Sequence, residues 1–501
     1  MADETVKTDS SDKKTPGDTP DTTTKPAEPK DDLVSSKHHL RVGRRTLDYT
    51  ATTGRVVLRD EVYEDGTFTG FKPKAEMSLT SYVVDGEADR PVTFAFNGGP
   101  GSSSVWLHLG LLGPRRVLMG DAGALLPPPY DLTDNAESLL AVSDLVFIDP
   151  VSTGYSRTLE GTKPEAFHGY QGDIESVGEL IRIWTSRHRR WMSPKFVAGE
   201  SYGTVRGAAL VEHLQSRHGM YVNGLILISS VLDLSSIDFD KQRNDRAHAL
   251  YLPTYAAIAH YHGKVARRSL KALLKEAEEY AAQEYPHVLA RGNRLTAKER
   301  AAAVRKLASL TGLSEEYVDR ADLRIEHWRF FGELLREERR TTGRLDGRFS
   351  GPAGSAIAEE MDADPSHDAI TGPYAAAFNH YVRDELGYEN DLPYEQISRR
   401  VHPWSFKDFE GRPIDVTPKL ERAMRQNPHL QVHVAYGYYD GATPHFAAED
   451  VIAHLNLPDE LRANIEHKYY EAGHMMYVHE PSRRQQSKDL ADFVTRSSPA
   501  R

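Results

Sequence analysis

The chain has 501 residues, no cysteine and a formal charge of −11, with 39% apolar and 27% charged residues. The missing thiols exclude disulfides, thiolate zinc sites, iron–sulfur clusters and a cysteine nucleophile. An acidic balance with no lysine–arginine block argues against nucleic acid as a partner. No apolar run reaches the roughly 18 residues that a membrane-spanning helix needs, so a membrane is not expected either.

Residues 1–38, which begin MADETVKTDSSDKKTPGDTPDTTTKPAEPK, are rich in threonine, aspartate, lysine and proline. A segment with so little to bury cannot offset its ordering entropy, which predicts a disordered tail. The same stretch lacks the apolar core and cleavage site of a secretory signal, so a cytoplasmic location is expected. From Arg44 to Phe96, RTLDYTA, GRVVLRDEVY, EMSLTSYVV and PVTFAF alternate apolar and polar residues, broken by Asp-Gly at 65–66 and 85–86. These segments predict hairpin strands.

After Asn97 the texture changes to short apolar strands alternating with helical stretches. LVFID (145–149), KFVAGE (195–200), GLILIS (224–229), LQVHVAYG (430–437) and NIEHKYYEA (464–472) read as strands. IESVGELIRIWTSRH and TVRGAALVEHLQSRH carry apolar residues at helical spacing. This alternation predicts an α/β fold with a mostly parallel sheet covered by helices on both faces. Residues 235–364 hold KVARRSLKALLKEAEEYAAQEY, AKERAAAVRKLASL and RIEHWRFFGELLREERR, helix formers with no strand between them. They read as a helical cap inserted between two parts of one body, 39–234 and 365–501, and their charged faces as solvated surface.

The chemistry concentrates at Gly199-Glu200-Ser201-Tyr202-Gly203, between the strand KFVA and the helix TVRGAALVEHL. A G-x-S-x-G turn in that context lifts the serine hydroxyl above the sheet, and small residues two before and two after it permit the tight turn. Serine needs a general base that is oriented by an acid. The strand LQVHVAYG leads to Asp440 and NIEHKYYEA leads to His474, each just beyond its strand's C-terminal end, in the order serine, acid, histidine. His467 falls within a strand, while His445 and His479 lie past the turns in helix or loop, which leaves His474 as the base. The strand VTFAF ends in Asn97-Gly98-Gly99-Pro100-Gly101. Its glycines allow backbone N–H groups to approach an oxyanion, with Gly99 and Tyr202 as the two donors. A phosphate-cradling loop is the rival reading, but no Gly-Lys-Ser/Thr and no G-x-G-x-x-G follows.

FNGGPGSSS (96–104), DPVSTGYS (149–156), GESYG (199–203), YYDGATP (438–444) and EAGHMM (471–476) together resemble the serine carboxypeptidase family of α/β-hydrolases. The resemblance implies an α/β-hydrolase fold, Ser201 as nucleophile, Asp440 as orienting acid, His474 as base, and Gly99 and Tyr202 as oxyanion hole. It further implies that Asn97, Gly98 and a protonated Glu200 bind the substrate's C-terminal carboxylate, with a preference for acidic pH. Three positions depart from the family pattern: Leu111 stands where a second glutamate usually pairs with the first, Ser102 replaces a cysteine, and Ala95 replaces a tryptophan.

The expected activity is removal of C-terminal residues from peptides through an acyl-enzyme, with a free-C-terminus peptide as substrate. No cofactor or metal is expected, and the family resemblance allows a homodimer. Leu111 leaves an esterase or acyltransferase on the same scaffold as the alternative, and a non-catalytic binding protein is the reading from another class.

Overall fold

The computed structural model describes residues 28–499, apart from 88, 121–122, 240–243 and 267–268. Most of the segment expected to be disordered, residues 1–27, lies outside the described residues. Its C-terminal end is a correction: β1 (Asp32–Val42) is a strand, paired antiparallel with β2 (Arg45–Glu64). Its half-buried residues alternate with exposed ones, so the strand is held by ladder hydrogen bonds and one wet face rather than by an apolar run. β2 is continuous where the sequence suggested two short strands, and it joins β3 (Thr67–Val84) through Asp65-Gly66. Register shifts at Leu58/Arg59 and Val62/Tyr63 bend this long ribbon.

β4 (Val92–Phe96) ends at Asn97, and a small hairpin of β5 (Arg115–Val117) and β6 (Leu132–Asp134) follows. The remaining body strands are β7 (Asp144–Ile148), β8 (Arg157–Thr158), β9 (Lys195–Glu200) and β10 (Gly224–Ile228). A second small hairpin, β11 (Arg340–Thr342) with β12 (Ser350–Pro352), lies in the insertion, where only helices were expected. β13 (Gln431–Gly437) and β14 (Ile465–Tyr470) complete the set.

The main sheet runs β1-β2-β3-β7-β4-β9-β10-β13-β14, with β8 beside β3. Every pair from β7 through β14 is parallel, and the N-terminal strands are antiparallel. β4, β7, β9 and β10 are buried along their whole length, as strands with helices on both faces must be. Helices Tyr170–Arg187, Tyr202–His218 and Thr417–Gln426 pack over one face, in the cluster that holds Val177, Val205 and Leu420. Helices Pro365–His380 and Glu480–Ser497 cover the other face.

Between β10 and β13 the helices from Asp245–Tyr261 to His327–Glu333 bury a core of their own around Tyr255, Leu307 and Phe330. Trp328, on the last of these helices, borders the same cavity as Ser201, just past the C-terminal end of β9. Among the described residues no helix is long and apolar enough to cross a membrane.

Candidate active site

β9 ends at Glu200 and a helix begins at Tyr202, so Ser201 alone makes the turn, with φ 60° and ψ −130°. That left-handed conformation costs a non-glycine residue about 1–3 kcal/mol and persists only where its surroundings dictate it. Here the Ser201 N–H donates to Ile228 O at 3.0 Å, and the Ser201 carbonyl accepts from Thr204 N–H at 2.8 Å. A Cβ on Gly199 would lie 2.0 Å from Gly203 O, so the close turn requires a glycine at that position. Among the described residues the Ser201 hydroxyl forms no hydrogen bond, and it faces a cavity of about 280 Å³ together with Asn97, Gly98, Gly99, Glu200 and His474.

Asp440 is fully buried beyond the end of β13, and four donors converge on its carboxylate. Oδ1 accepts from the N–H groups of Ala442 and Thr443 at 2.8 and 2.9 Å, and Oδ2 from Thr443 Oγ1 at 2.9 Å and His474 Nδ1 at 2.8 Å. The Nδ1–H must donate to that carboxylate, which leaves Nε2 as the basic nitrogen. The His474 main chain is pinned as well: its N–H donates to Leu345 O at 2.6 Å and its carbonyl accepts from Ser229 Oγ at 2.7 Å. Burial works to lower the His474 pKa, but the charge and hydrogen bond of Asp440 prevail, aided by Glu200, and hold it above its ordinary value.

The glycine loop after β4 packs directly on the start of the nucleophile's helix. A Cβ on Gly98 would sit 2.4 Å from Tyr202 N, so only glycine lets the loop lie there. Gly99 has φ +103°, again a glycine conformation. Asn97 ties the loop down: its Nδ2 donates to Glu200 Oε1 at 2.7 Å, and its Oδ1 accepts from Leu107 N–H at 3.0 Å. Farther along, Ser104 N–H and Oγ donate to Asp149 at 2.8 and 2.9 Å, which gives the DPVSTGYS segment its role as anchor of this loop.

Glu200 is buried, with Tyr477 donating to Oε2 at 2.7 Å opposite the Asn97 contact. Burial pushes its pKa up to about 7, and the His474 charge and the Tyr477 and Asn97 hydrogen bonds restrain it from rising further. Leu111 is buried in the turn His108–Leu112, and a Cβ on the adjacent Gly110 would be 2.4 Å from the Tyr477 ring. Tyr477 therefore packs beside the segment where the family's second acid would stand, and it supplies Glu200 with a partner.

Every sequence-proposed residue thus falls in one place: Ser201, His474, Asn97, Gly98, Gly99 and Glu200 line the cavity, Asp440 lies behind His474, and Tyr202 follows Ser201. His467 bonds Tyr436 at 2.9 Å, and His445 is buried against Glu278 at 3.2 Å, so neither takes part.

Sequence reasoning missed three contributors. Tyr477 is one. Arg206 is another: fully buried, it pairs with Asp173 at 2.8 Å and donates to Asn97 O at 2.6 Å. An arginine inside the apolar run TVRGAALV was the available signal. The third is the loop 343–349, which ties both catalytic strand ends: Gly441 N–H donates to Arg344 O at 3.0 Å, and Gly473 N–H to Asp346 Oδ2 at 3.1 Å. Among the described residues no group of three or more metal-ligating side chains is assembled.

A mostly parallel sheet, a serine on a strained strand–helix turn, and an acid and a histidine on later strand ends define an α/β-hydrolase. The family model described as serine carboxypeptidase matches residues 80–488, and the chain belongs to that family. Among curated proteins it is similar to serine carboxypeptidase-like 13 of Arabidopsis thaliana, 27% identical over 181 residues, or 34% of this chain and 40% of that protein. Serine carboxypeptidase-like 16 of the same plant is 26% identical over 196 residues, 37% and 43% of the two chains. These alignments span about two fifths of the relatives' length. Among solved structures, KEX1(delta)p, a prohormone-processing carboxypeptidase of Saccharomyces cerevisiae, superposes with a TM-score of 0.55 at 16% identity, covering 90% of this chain and 91% of that one. That likeness is one of fold.

Proposed function

We propose that the protein is a serine carboxypeptidase that removes the C-terminal residue of peptides. The observation that carries this reading is the convergence of Ser201, the His474–Asp440 pair and the glycine loop on one cavity. Ser201 Oγ attacks the scissile carbonyl as His474 Nε2 takes its proton, and the imidazolium is stabilised by Asp440. The N–H groups of Gly99 and Tyr202 receive the oxyanion, assisted by the start of the helix Tyr202–His218. His474 returns the proton to the departing amine as the C–N bond breaks and the acyl-enzyme forms. Water, deprotonated by His474, then attacks the ester, and the acid product leaves with Ser201 restored.

Asn97, Gly98 and Glu200 border the cavity where the departing residue would lie, which supports the carboxylate-binding role proposed for them. A serine-reactive phosphonate should add to Ser201 as one mass increment, and Ser201→Ala should lose both the label and peptide hydrolysis. Hydrolysis that survives Ser201→Ala would refute the mechanism. Equal turnover of a blocked dipeptide and its C-terminal amide would favour the esterase or acyltransferase alternative.

A further inference from the structure

The cavity holds a guanidinium that the mechanism does not use. Arg344 lies between β11 and β12, and its main chain is fixed at the site: its N–H donates to Asp364 Oδ1 at 3.1 Å, and its carbonyl accepts from Gly441, next to Asp440, at 3.0 Å. Its guanidinium stacks 5.3 Å from the Trp328 ring centroid and makes no hydrogen bond or ion pair with any described residue. Both carboxyls that share the cavity are already engaged. Asp364 accepts from the N–H groups of Arg344, Leu345 and Ser366 and from the Ser366 hydroxyl, and Glu200 accepts from Asn97 and Tyr477. Trp106, Ile370, Ile397 and Met475 make the surrounding wall apolar, a setting that strengthens any ion pair formed there. The cavity therefore presents a held, unpartnered fork of N–H donors, the geometry that binds a carboxylate through two parallel hydrogen bonds.

Its position selects the half of the substrate. His474 must hand its proton to the departing amine, so the departing residue lies on the His474 side of the cavity, where the Arg344 charge is near enough to act on the imidazole. We propose that Arg344 is a specificity-determining residue that receives a carboxylate carried by the departing residue. The inference rests on the acyl-transfer reading above and deepens it. The carboxylate has two sources, the main-chain terminus or an aspartate or glutamate side chain.

The test uses four blocked dipeptides with the same acyl half and a departing leucine acid, leucine amide, glutamate amide or glutamine amide. Arg344→Gln should lower kcat/KM for the carboxylate-bearing ligand by roughly 10- to 100-fold, chiefly through KM, and Arg344→Lys should recover part of the loss. A fall confined to the leucine acid/amide ratio assigns the main-chain terminus; a fall in the glutamate/glutamine ratio assigns the side chain. Unchanged ratios for both pairs in Arg344→Gln overturn the proposal. Full phosphonate labelling of the variant reports an assembled site.

Affinities of the same ligands for Ser201→Ala, with and without Arg344→Gln, read recognition without chemistry. If wild-type protein cleaves none of the dipeptides, the carboxypeptidase reading fails while these affinities still decide the role of Arg344. Equal affinity of Ser201→Ala for each acid and its amide overturns the proposal without recourse to any Arg344 variant.

Discussion

Glu200 offers the sharpest test of the electrostatics, because its ionisation is tied to a stability that can be measured against pH. Its carboxyl has an ordinary value of 4.5 and is pushed up to about 7, with burial as the leading cause. At about 1.4 kcal/mol per tenfold change, keeping it ionised in the folded protein costs about 3 kcal/mol. Because the folded-state value is the higher one, the folded chain binds the proton more tightly than the unfolded chain does. The stabilising contribution of the neutral carboxyl is fully present below pH 4.5 and is lost as pH rises through about 7. Glu200→Gln has nearly the same shape and does not titrate. Its amide nitrogen can face Tyr477, whose hydroxyl can accept, while the amide oxygen keeps the Asn97 hydrogen bond. The free energy of unfolding of variant and wild type, from urea melts every half unit between pH 5 and 8.5, should therefore diverge with rising pH. The variant should gain on wild type by about 2–3 kcal/mol across the range. Any fixed cost of the amide shifts the difference curve without changing its slope. A flat difference curve would show that Glu200 ionises at its ordinary value and that the reasoning about its burial is wrong.

Two further perturbations probe the scaffold under the site. Gly98→Ala places a methyl carbon 2.4 Å from Tyr202 N and should displace the glycine loop, lowering kcat by roughly 10²- to 10³-fold, as loss of an oxyanion donor does; steady-state kinetics within a few-fold of wild type would refute the assignment. Arg206→Met strands Asp173, whose pKa burial already raises against the pull of Arg206. It should cost about 3–5 kcal/mol of stability at neutral pH, less in mild acid where Asp173 can take a proton; a loss that does not vary with pH between 5 and 8 would exclude the unpaired carboxylate as its cause.

What was legible in the sequence was what is local. The G-x-S-x-G turn, the strands before Asp440 and His474 and the glycine loop are each specified within about ten residues, by small side chains at a tight turn or apolar runs beneath it. The residues that hold these pieces to one another were not legible, because their partners are far away in the chain. Tyr477 reaches Glu200 across 277 positions, and Arg206 reaches Asn97 across 109. The loop 343–349 reads as an ordinary polar turn in a helical segment, yet it joins both catalytic strand ends. β1 is hidden in the sequence for a different reason: DLVSSKHHLRV has only a half-buried face to satisfy, so its composition is that of a tail while its backbone is that of a ladder.

The exchange around Glu200 shows how a motif can be kept while its chemistry moves. Two carboxyls in contact must share a proton to avoid repulsion, which ties such a pair to acidic conditions. In this site the neighbour of Glu200 is a phenol, pushed well above its ordinary value by burial and then by the Glu200 charge. Tyr477 therefore keeps its proton to donate whether Glu200 is neutral or ionised, and the contact survives at pH values where a shared proton would be gone. His474 acts as a base only when neutral, and Asp440 holds its pKa above the ordinary 6.5. With Leu111 in place of a second acid, the Glu200 contact thus rests on the Tyr477 hydroxyl and not on a proton shared between two carboxyls.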